Sequence, residues 1–325
     1  METNVHFPTD INLLFDSTRK VISLISAICE KCNVSGWRQS KYNIRQLKRQ
    51  VFKLQKLKHS TSKDPYKAQK KKQQIILAYN AYSNTARSFI EKAKATKTEL
   101  TLNGIDPISL LEIDYFINHA EKQIEQINRR VVHGEKIPHD EKIFSVFEPH
   151  TEWICKGKAG VPVELGLKVA ILEDEFGFIL NHQVMQKQTD EQVAVPLVKT
   201  TKEKFPELYS CSFDKGFHSP SNQEELKQFL GTVALPKKGK LSKKDIERQY
   251  SKEFIIAKKN HSAVESAINA LEVHGLDRCP DHGIHGFKRY VSLAVVSRNV
   301  QKIGSVLIKQ EHHALKKQKK HKQVA

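Results

Sequence analysis

Long apolar runs are missing from this chain of 325 residues. The longest, such as Ile75–Tyr79, fall far short of the roughly 20 residues that a membrane-spanning helix needs. The opening segment Met1–Asp10 is polar and contains a proline, so it lacks the basic and apolar regions of a signal peptide. These absences predict a cytoplasmic protein rather than a secreted or membrane protein.

Cysteine is also scarce. Five cysteines, an odd number, argue against a disulfide framework and favour a reducing compartment. Cys29 and Cys32 have the Cys-x-x-Cys spacing of a zinc site, but no second such pair follows and both fall in a predicted helix, which favours packing. The segment Cys279–His285 suits either a metal or a Gly/Pro loop with polar tips. Gly157–Gly160 has neither of the glycine spacings that bind nucleotides.

Acidic residues are nearly absent from one basic stretch. The chain has 54 Lys and Arg against 36 Asp and Glu, a formal charge of +18. Between Lys31 and Lys72 there are fourteen Lys and Arg, and Asp64 is the only acid. Such a block attracts phosphate backbones, or anionic membranes by the same Coulomb attraction, and here we favour a polyanion. For the basic tail Lys316–Lys322, a solvated helix face or a flexible tail is the simpler interpretation.

The first part of the sequence, residues 1–138, is predicted to be mostly helical, and roughly its first 135 residues show no strand signal. From Tyr42 onward, apolar residues recur every three or four positions, which predicts an amphipathic helix. Basic residues fill much of its other side, and several are predicted to contact DNA phosphates: Arg45, Lys48, Arg49, Lys53 and Lys56.

Residues 139–310 are predicted to form an α/β core of strands and helices, and residues 311–325 a basic tail. Three segments rich in Val, Ile, Phe and Leu predict an antiparallel meander: Ile143–Trp153, Val163–Glu173 and Phe176–Met185. Further helices are expected to start at Thr189, Ser221, Ser262 and Phe287, and short strands over Leu208–Phe213 and Val233–Leu235.

Two acids stand out in this core. Asp214 follows a predicted buried strand, where an acid faces the edge of a sheet and can reach a metal or substrate; the alternative is a turn aspartate that caps the next residues. Glu265 lies early in a predicted helix, where Ser262-x-x-Glu265 also has the spacing of a capping box. Together they suit a magnesium site for phosphodiester cleavage, because Mg²⁺ binds one or two carboxylates plus water and phosphate oxygens.

At these residues the sequence resembles the DDE transposases of bacterial insertion sequences, over nearly the whole chain. The motifs that carry the resemblance keep a specific order: Asn4–Asp10 with Leu13-Leu14, Phe147–Thr151 with Lys156–Lys158, Val163–Gly166, Ser212–Phe217, Leu235–Gly239, and His261–Ile268 with Gly275-Leu276.

The resemblance implies a ribonuclease-H-like core, a mixed sheet interrupted after its first strand by a long helical insertion. It implies three carboxylates that hold two Mg²⁺ or Mn²⁺ ions, with Asp214 as the second and Glu265 as the third. Some relatives place a Tyr and an Arg ahead of the glutamate, where this chain has Lys258 and His261. Double-stranded DNA, both element ends and target, is the implied partner, contacted also by Lys237, Lys238 and Lys240. A homo-oligomer on DNA and a nucleoid-associated location in the bacterial cytoplasm follow.

The first carboxylate of the family does not match any residue here. In similar proteins it lies a few residues upstream of the segment that matches Glu2–Asn4, so we expect the first strand and its aspartate to be missing. Asp10, Glu148 and Glu152 are weaker substitutes.

The sequence therefore supports two main hypotheses. The first is a DNA transposase that catalyses Mg²⁺-dependent cleavage and strand transfer, in a truncated or split form that is impaired alone. The second is a non-catalytic DNA-binding remnant that occupies element ends. An RNA-binding protein is a third interpretation, supported only by charge.

Overall fold

The structure is a computed structural model that describes residues 1–59, 63–155 and 162–324, without the side chains of residues 59, 260, 262, 263, 265 and 317–324. The chain divides into two compact units. Val5–Pro149 form one, here called the helical unit; Met1–Asn4 and His150–Ala325 form the other, the α/β unit. The first four residues therefore belong with the second half of the chain.

The helical unit consists of long helices joined by short turns. Its elements are α1 (Asp10–Lys31), α2 (Ser40–His59), α3 (Pro65–Leu102), a 3₁₀ turn (Pro107–Leu110), α4 (Leu111–Ile127) and a π-helical turn (Asn128–Val132). Thr9 caps α1, because its Oγ1 accepts the N–H of Asn12 at 3.2 Å. The helices predicted for this part of the sequence are confirmed.

An apolar core runs through the helical unit. Its largest buried side chains on α1, α2 and α3 recur at helical spacing: Ile11, Leu14, Ile22, Ile25, Leu47, Leu54, Tyr79, Tyr82, Ile90 and Leu100. Tyr82 donates its hydroxyl hydrogen to the carbonyl of Ile11 at 3.1 Å, so this buried polar group is satisfied. Cys29 is buried in the same core and Cys32 is the C-cap of α1, both as free thiols, which agrees with packing.

The α/β unit alternates short strands and helices. Its strands are β1 (Glu2–Thr3), β2 (Glu152–Cys155), β3 (Val163–Gly166), β4 (Val169–Glu173), β5 (Ile179–Val184), β6 (Ser210–Ser212), β7 (Thr232–Ala234) and β8 (Arg278–Cys279). Its helices are α5 (Asp190–Lys204), α6 (Pro220–Lys227), α7 (Lys243–Gln249), α8 (Lys252–Leu271) and α9 (Gly283–Val324), with a 3₁₀ turn at Lys215–Phe217 and a π-helical turn at Glu272–Leu276.

The strands form one four-stranded sheet and two pairs. In the four-stranded sheet the order is β2-β3-β1-β8, with β3 antiparallel to both its neighbours and β1 parallel to β8. Gly166 of β3 lies opposite both Glu2 and Glu152. A Cβ at Gly166 would lie 2.1 Å from the carbonyl oxygen of Met1, so only glycine lets β1 approach this closely. The expectation that no strand precedes residue 135 is therefore wrong at Glu2–Thr3.

The predicted meander is confirmed only in part. β2 with β3 and β4 with β5 are antiparallel pairs, but they belong to different sheets. The reason is a break at residues 167–168, which divides the single strand expected over Val163–Glu173. The first strand begins only at Glu152, because residues 143–151 are irregular. The Lys156–Lys158 motif and the Gly157–Gly160 separator lie outside the described residues.

Helix α9 packs against the strands through one face. Phe287, Val291 and Val295 are buried together with Ile179 of β5. Farther along α9, the side-chain amide of Asn299 donates to the carbonyl of Ile179 and accepts its N–H, both at 2.9 Å. The amide of Asn299 thereby extends the hydrogen bonding at the β5 end of the β4–β5 pair.

The chain is thus a mixed α/β protein, mainly helical with small mixed sheets, which confirms the predicted fold class at that level. Within the described ranges, no helix is both long enough and apolar enough to cross a membrane.

Candidate functional site

Asp214 lies where a short parallel strand ends. β6 pairs in parallel with β7, and the N–H of Phe213 continues the ladder by donating to the carbonyl of Ala234 at 3.0 Å. Because side chains alternate along an extended segment, Phe213 points into the core and Asp214 points out. The carboxylate of Asp214 is 80% exposed and makes no capping hydrogen bond to the following 3₁₀ turn. The alternative role as a turn cap is therefore wrong for this side chain.

Histidine 261 connects Asp214 to α8. Its Nε2 lies 3.5 Å from Oδ1 of Asp214, and its Nδ1 lies 3.1 Å from the hydroxyl oxygen of Ser212. Two neighbouring residues at the carboxyl end of β6 thus meet a histidine 47 positions after Asp214, at the edge where α/β proteins commonly bind ligands. From the sequence, His261 was noted only as a residue that precedes Glu265. No motif near His261 in the sequence predicted that it would contact Ser212 and Asp214.

Glu265 lies on the same helix, one turn after His261. Residues four apart share a helix face, about 6 Å apart along the axis, so α8 brings the backbone of Glu265 to the side that carries His261. The side chain of Glu265 lies outside the described part of the chain. The capping-box alternative is wrong, because α8 starts at Lys252 and Ser251 is its cap, with its hydroxyl accepting the N–H of Phe254 at 3.3 Å.

A glycine lets α5 approach the turn that follows Asp214. A Cβ at Gly216 would lie 2.5 Å from Oδ2 of Asp190, the first residue of α5. The other oxygen of Asp190 lies 3.1 Å from Nζ of Lys168, so this carboxylate is already paired. The Asp214-Lys-Gly sequence therefore combines an exposed carboxylate with a closely packed turn.

The donor set suits a divalent cation in its chemistry. Asp214 offers an exposed carboxylate, the hard oxygen ligand that Mg²⁺ and Mn²⁺ prefer, and these ions need only one or two carboxylates besides water and phosphate oxygens. Among the side chains that the structure describes, no three His, Cys, Asp or Glu residues lie close enough together to hold a metal. Asp214 and Glu265 are the residues that, by the sequence resemblance, would hold the ion.

The lysines after β7 divide into two kinds. Because β6 and β7 are parallel, the segment after β7 starts at the same sheet edge as Asp214. Lys237 is paired inside the unit, with its Nζ 2.7 Å from Oδ2 of Asp245. This contact lowers the pKa of Asp245, and the hydrogen bonds from Ser242 lower it further. Lys238 and Lys240 are exposed, so they are the better candidates for phosphate contacts.

The sequence did not predict that Arg248 and His218 lie near the Asp214 end of β6 and β7. The guanidinium of Arg248 lies 3.3 Å from Oδ1 of Asp245. The pKa of His218, just after the 3₁₀ turn, is lowered first by burial and then by the positive charge of Arg248. Arg248 and Lys237 both pair with Asp245, so that carboxylate partly offsets their positive charge.

The weaker carboxylate candidates are engaged elsewhere. Asp10 pairs with Arg130 in the helical unit, although burial is the larger influence and raises the pKa of Asp10. Glu148 is buried in the same unit. Glu152 accepts the backbone N–H of Lys187 at 2.6 Å, which ties β2 to the segment before α5.

The helical unit presents the second candidate surface, on α2. We call it the α2 basic face; it consists of five exposed cations: Arg45, Lys48, Arg49, Lys53 and Lys56. Nowhere in the described structure does one of them form an ion pair. Phe52 is half exposed among them, with Nζ of Lys48 5.8 Å from its ring centre. The helix has seven Lys and Arg and no acid, so nothing on it neutralises this charge.

These observations define a mixed α/β protein with a carboxylate–histidine site at a strand edge and a separate basic helix. Comparisons with known protein families, with curated proteins and with solved structures find no match for this chain.

Proposed function

We propose that this chain acts on double-stranded DNA as a transposase of the DDE class, with a ribonuclease-H-like core. The observation that carries the proposal is the position of Asp214. Its exposed carboxylate stands at the carboxyl end of β6, next to the helix that bears Glu265. An acid on a strand end and an acid on a later helix are the arrangement that the sequence resemblance implies.

Each residue of the site has a role in this proposal. Bound Mg²⁺ or Mn²⁺ would supply an activated water and stabilise the leaving oxygen of a phosphodiester. Asp214 and Glu265 would hold the ions. His261, held 3.1 Å from Ser212, lies 3.5 Å from Asp214 and limits the positions that its carboxylate adopts. Water would hydrolyse a phosphodiester at each element end and leave a 3′-hydroxyl. That hydroxyl would then attack a target phosphodiester and displace the 3′-oxygen of the target strand.

DNA binding is assigned to exposed cations. The α2 basic face neutralises phosphates and releases their counterions, which makes binding dependent on salt. Lys238 and Lys240 contact the DNA near Asp214, whereas Lys237 is held by Asp245. These contacts to the backbone position the DNA without reading its sequence.

A second candidate function is DNA binding without cleavage. The observation that favours it is the α2 basic face itself, whose cations are exposed and need no carboxylate site in order to bind phosphate. Such a protein occupies element ends and competes with an active enzyme.

One experiment separates the two functions. Labelled duplexes from the DNA that flanks this reading frame are incubated with the full chain and Mg²⁺ or Mn²⁺, and nicked, cut and joined products are resolved on denaturing gels. Asp214→Asn and Glu265→Gln are expected to lower product formation at least about 100-fold while DNA affinity is kept. Glu224→Gln, which removes an exposed carboxylate from α6, is the matched control and keeps full activity.

The outcomes are distinct. Metal-dependent products that Asp214→Asn does not reduce would refute the proposed site. Salt-dependent binding with no products for any form of the chain would establish the binding function instead.

A further inference from the structure

Helix α2 carries aromatic and basic side chains in a single row. Residues that recur every three and four positions lie on one side of a helix. On α2 this spacing joins two rings and three cations: Tyr42, Arg45, Arg49, Phe52 and Lys56. All five are exposed, and the two rings are 51% and 52% exposed. We call these five residues the α2 row.

The two rings face solvent rather than the core of the helical unit. Helix α2 packs through another side, on which Leu47, Val51 and Leu54 are buried. Nζ of Lys48 lies 5.8 Å from the centre of the Phe52 ring, near the outer limit for a contact between a cation and an aromatic face. Single exposed apolar residues are common on protein surfaces, but here two rings share one row with three cations.

The order of the row suits a nucleic acid strand that runs along the helix. Arg49 and Lys56 stand one helical turn before and one turn after Phe52, and Arg45 stands one turn after Tyr42. Cations placed in this way bind phosphates on both sides of a base that lies against the ring. From Tyr42 to Phe52 the row extends about 15 Å at about 1.5 Å per residue, which matches about four nucleotides at about 3.4 Å each.

Aromatic rings distinguish unpaired DNA from duplex DNA. In a duplex the bases are stacked on one another, so a surface that binds the phosphates needs only cations. An unpaired base has a free face, which stacks on an aromatic side chain whatever the base is. Cations that follow the backbone, combined with rings that stack bases, are typical of surfaces that bind single strands.

We propose that the α2 row binds single-stranded DNA, with one base stacked on Phe52, another on Tyr42, and the phosphates held by Arg45, Arg49 and Lys56. The choice of DNA rests on the function proposed above, whereas the stacking itself needs neither metal nor cleavage. Binding of duplex phosphates by the same cations needs no ring. The inference therefore adds a second form of DNA, with unpaired bases, at this face.

Affinity for single strands tests the proposal, and it is measured without divalent cations so that no cleavage takes place. A labelled oligothymidylate of about 12 nucleotides, which does not pair with itself, is titrated with the full chain at about 0.15 M salt and followed by fluorescence anisotropy. Phe52→Ala is expected to weaken binding of this oligonucleotide about tenfold and binding of a duplex less than about twofold. Phe52→Leu keeps an apolar side chain without an aromatic face, and is expected to lose as much.

Two further variants separate stacking from a general effect of the substitution. Phe52→Trp keeps a stacking ring and is expected to keep the affinity for single strands. Its added indole fluorescence, taken as the difference from the unchanged chain, should be quenched by the oligothymidylate and not by a duplex. Tyr66→Ala is the matched control, because it removes an exposed ring from α3, and it should bind both ligands as the unchanged chain does.

The outcomes are separable. Unchanged binding of the oligothymidylate by Phe52→Ala would overturn the proposal. An equal loss for single strand and duplex would overturn it as well, because the ring would then serve phosphate binding in general. Tighter, ring-dependent binding of an oligouridylate of the same length would assign the α2 row to RNA instead. Failure of the proposed cleavage would leave all of these readouts unchanged, because none of them depends on Asp214 or on a metal.

Discussion

The helical unit and the α/β unit carry their candidate surfaces in different ways. The α2 basic face comes from residues within a single helix, between Arg45 and Lys56. The Asp214 site joins the end of β6 to α8, with His261 47 positions after Asp214 in the chain. The first surface needs only that one helix forms, whereas the second needs a correct tertiary arrangement.

This difference predicts how each surface responds to mutation. In the proposed function, charge on α2 acts by its sum, so individual cations are partly interchangeable and losses accumulate. In the same proposal the Asp214 site acts by position, so one carboxylate decides the outcome and its neighbours cannot replace it.

The largest expected effect comes from removing charge on α2. Arg45, Arg49, Lys53 and Lys56 changed together to Gln are expected to weaken DNA binding about 100-fold or more at 0.15 M salt. The slope of log affinity against log salt should become shallower by about 0.9 for each lost phosphate contact. Fluorescence anisotropy with a labelled duplex measures both.

The matched control removes the same charge from the α/β unit. Lys204, Lys227, Lys243 and Lys252 are exposed, and their joint change to Gln should alter affinity less than about tenfold. Equal losses in the two variants would show that total charge, and not the α2 basic face, governs binding.

A backbone contact in the α/β unit gives the next largest effect. Gly166→Ala is expected to lower the free energy of unfolding by about 1–3 kcal/mol, because the added Cβ meets the Met1 carbonyl at 2.1 Å and forces β1 away from β3. Urea denaturation followed by tryptophan fluorescence measures the change. Gly304→Ala is the control, since its Cβ meets nothing within 4 Å and alanine favours a helix. An unchanged midpoint for Gly166→Ala would mean that β1 is not held in this sheet.

The smallest expected effect is on stability as a function of pH, which His6 and His182 change in opposite directions in the two units. In the helical unit, the hydrogen bond to Asp16 raises the pKa of His6, with a 3.0 Å Nε2–Oδ2 contact. In the α/β unit, burial and then Lys204 lower the pKa of His182. His6 therefore contributes stability below its unfolded pKa of about 6.5 and loses it as pH rises through the folded value. His182 contributes stability above about 6.5 and loses it as pH falls.

Nuclear magnetic resonance titration of the imidazole signals checks both directions. The midpoint of His6 should lie above that of a model histidine and should fall in Asp16→Asn. The midpoint of His182 should lie below it and should not respond to Asp16→Asn. A His6 midpoint that Asp16→Asn leaves in place would contradict the assigned cause.

Helices were the most predictable part of this protein. Each helix of the first half has an apolar repeat of three and four residues, and Thr9 and Asp64 supply the caps at two starts. A capping motif taken as the sole sign of a helix start gave a wrong prediction. Ser262-x-x-Glu265 has the spacing of a capping box, yet α8 starts ten residues earlier, at Lys252, with Ser251 as its cap. A capping motif specifies a helix start only when the chain before it is not already helical.

Strands were less predictable, because their partners lie far away in the sequence. The segment Val163–Glu173 has one continuous composition, but β3 pairs with β1 and β2 while β4 pairs with β5. The two-residue strand Glu2–Thr3 carries no periodic signal, and it exists through its neighbours Gly166 and Cys279.

The sequence by itself determined the helices of the first half, the charge on α2 and the candidate acids Asp214 and Glu265, because each depends on residues near one another in the chain. Only the tertiary structure decided that His261 meets Asp214 and that Lys237 is held by Asp245 while Lys238 is exposed. These features depend on long-range packing, in which a single buried contact selects among side chains that look alike in sequence.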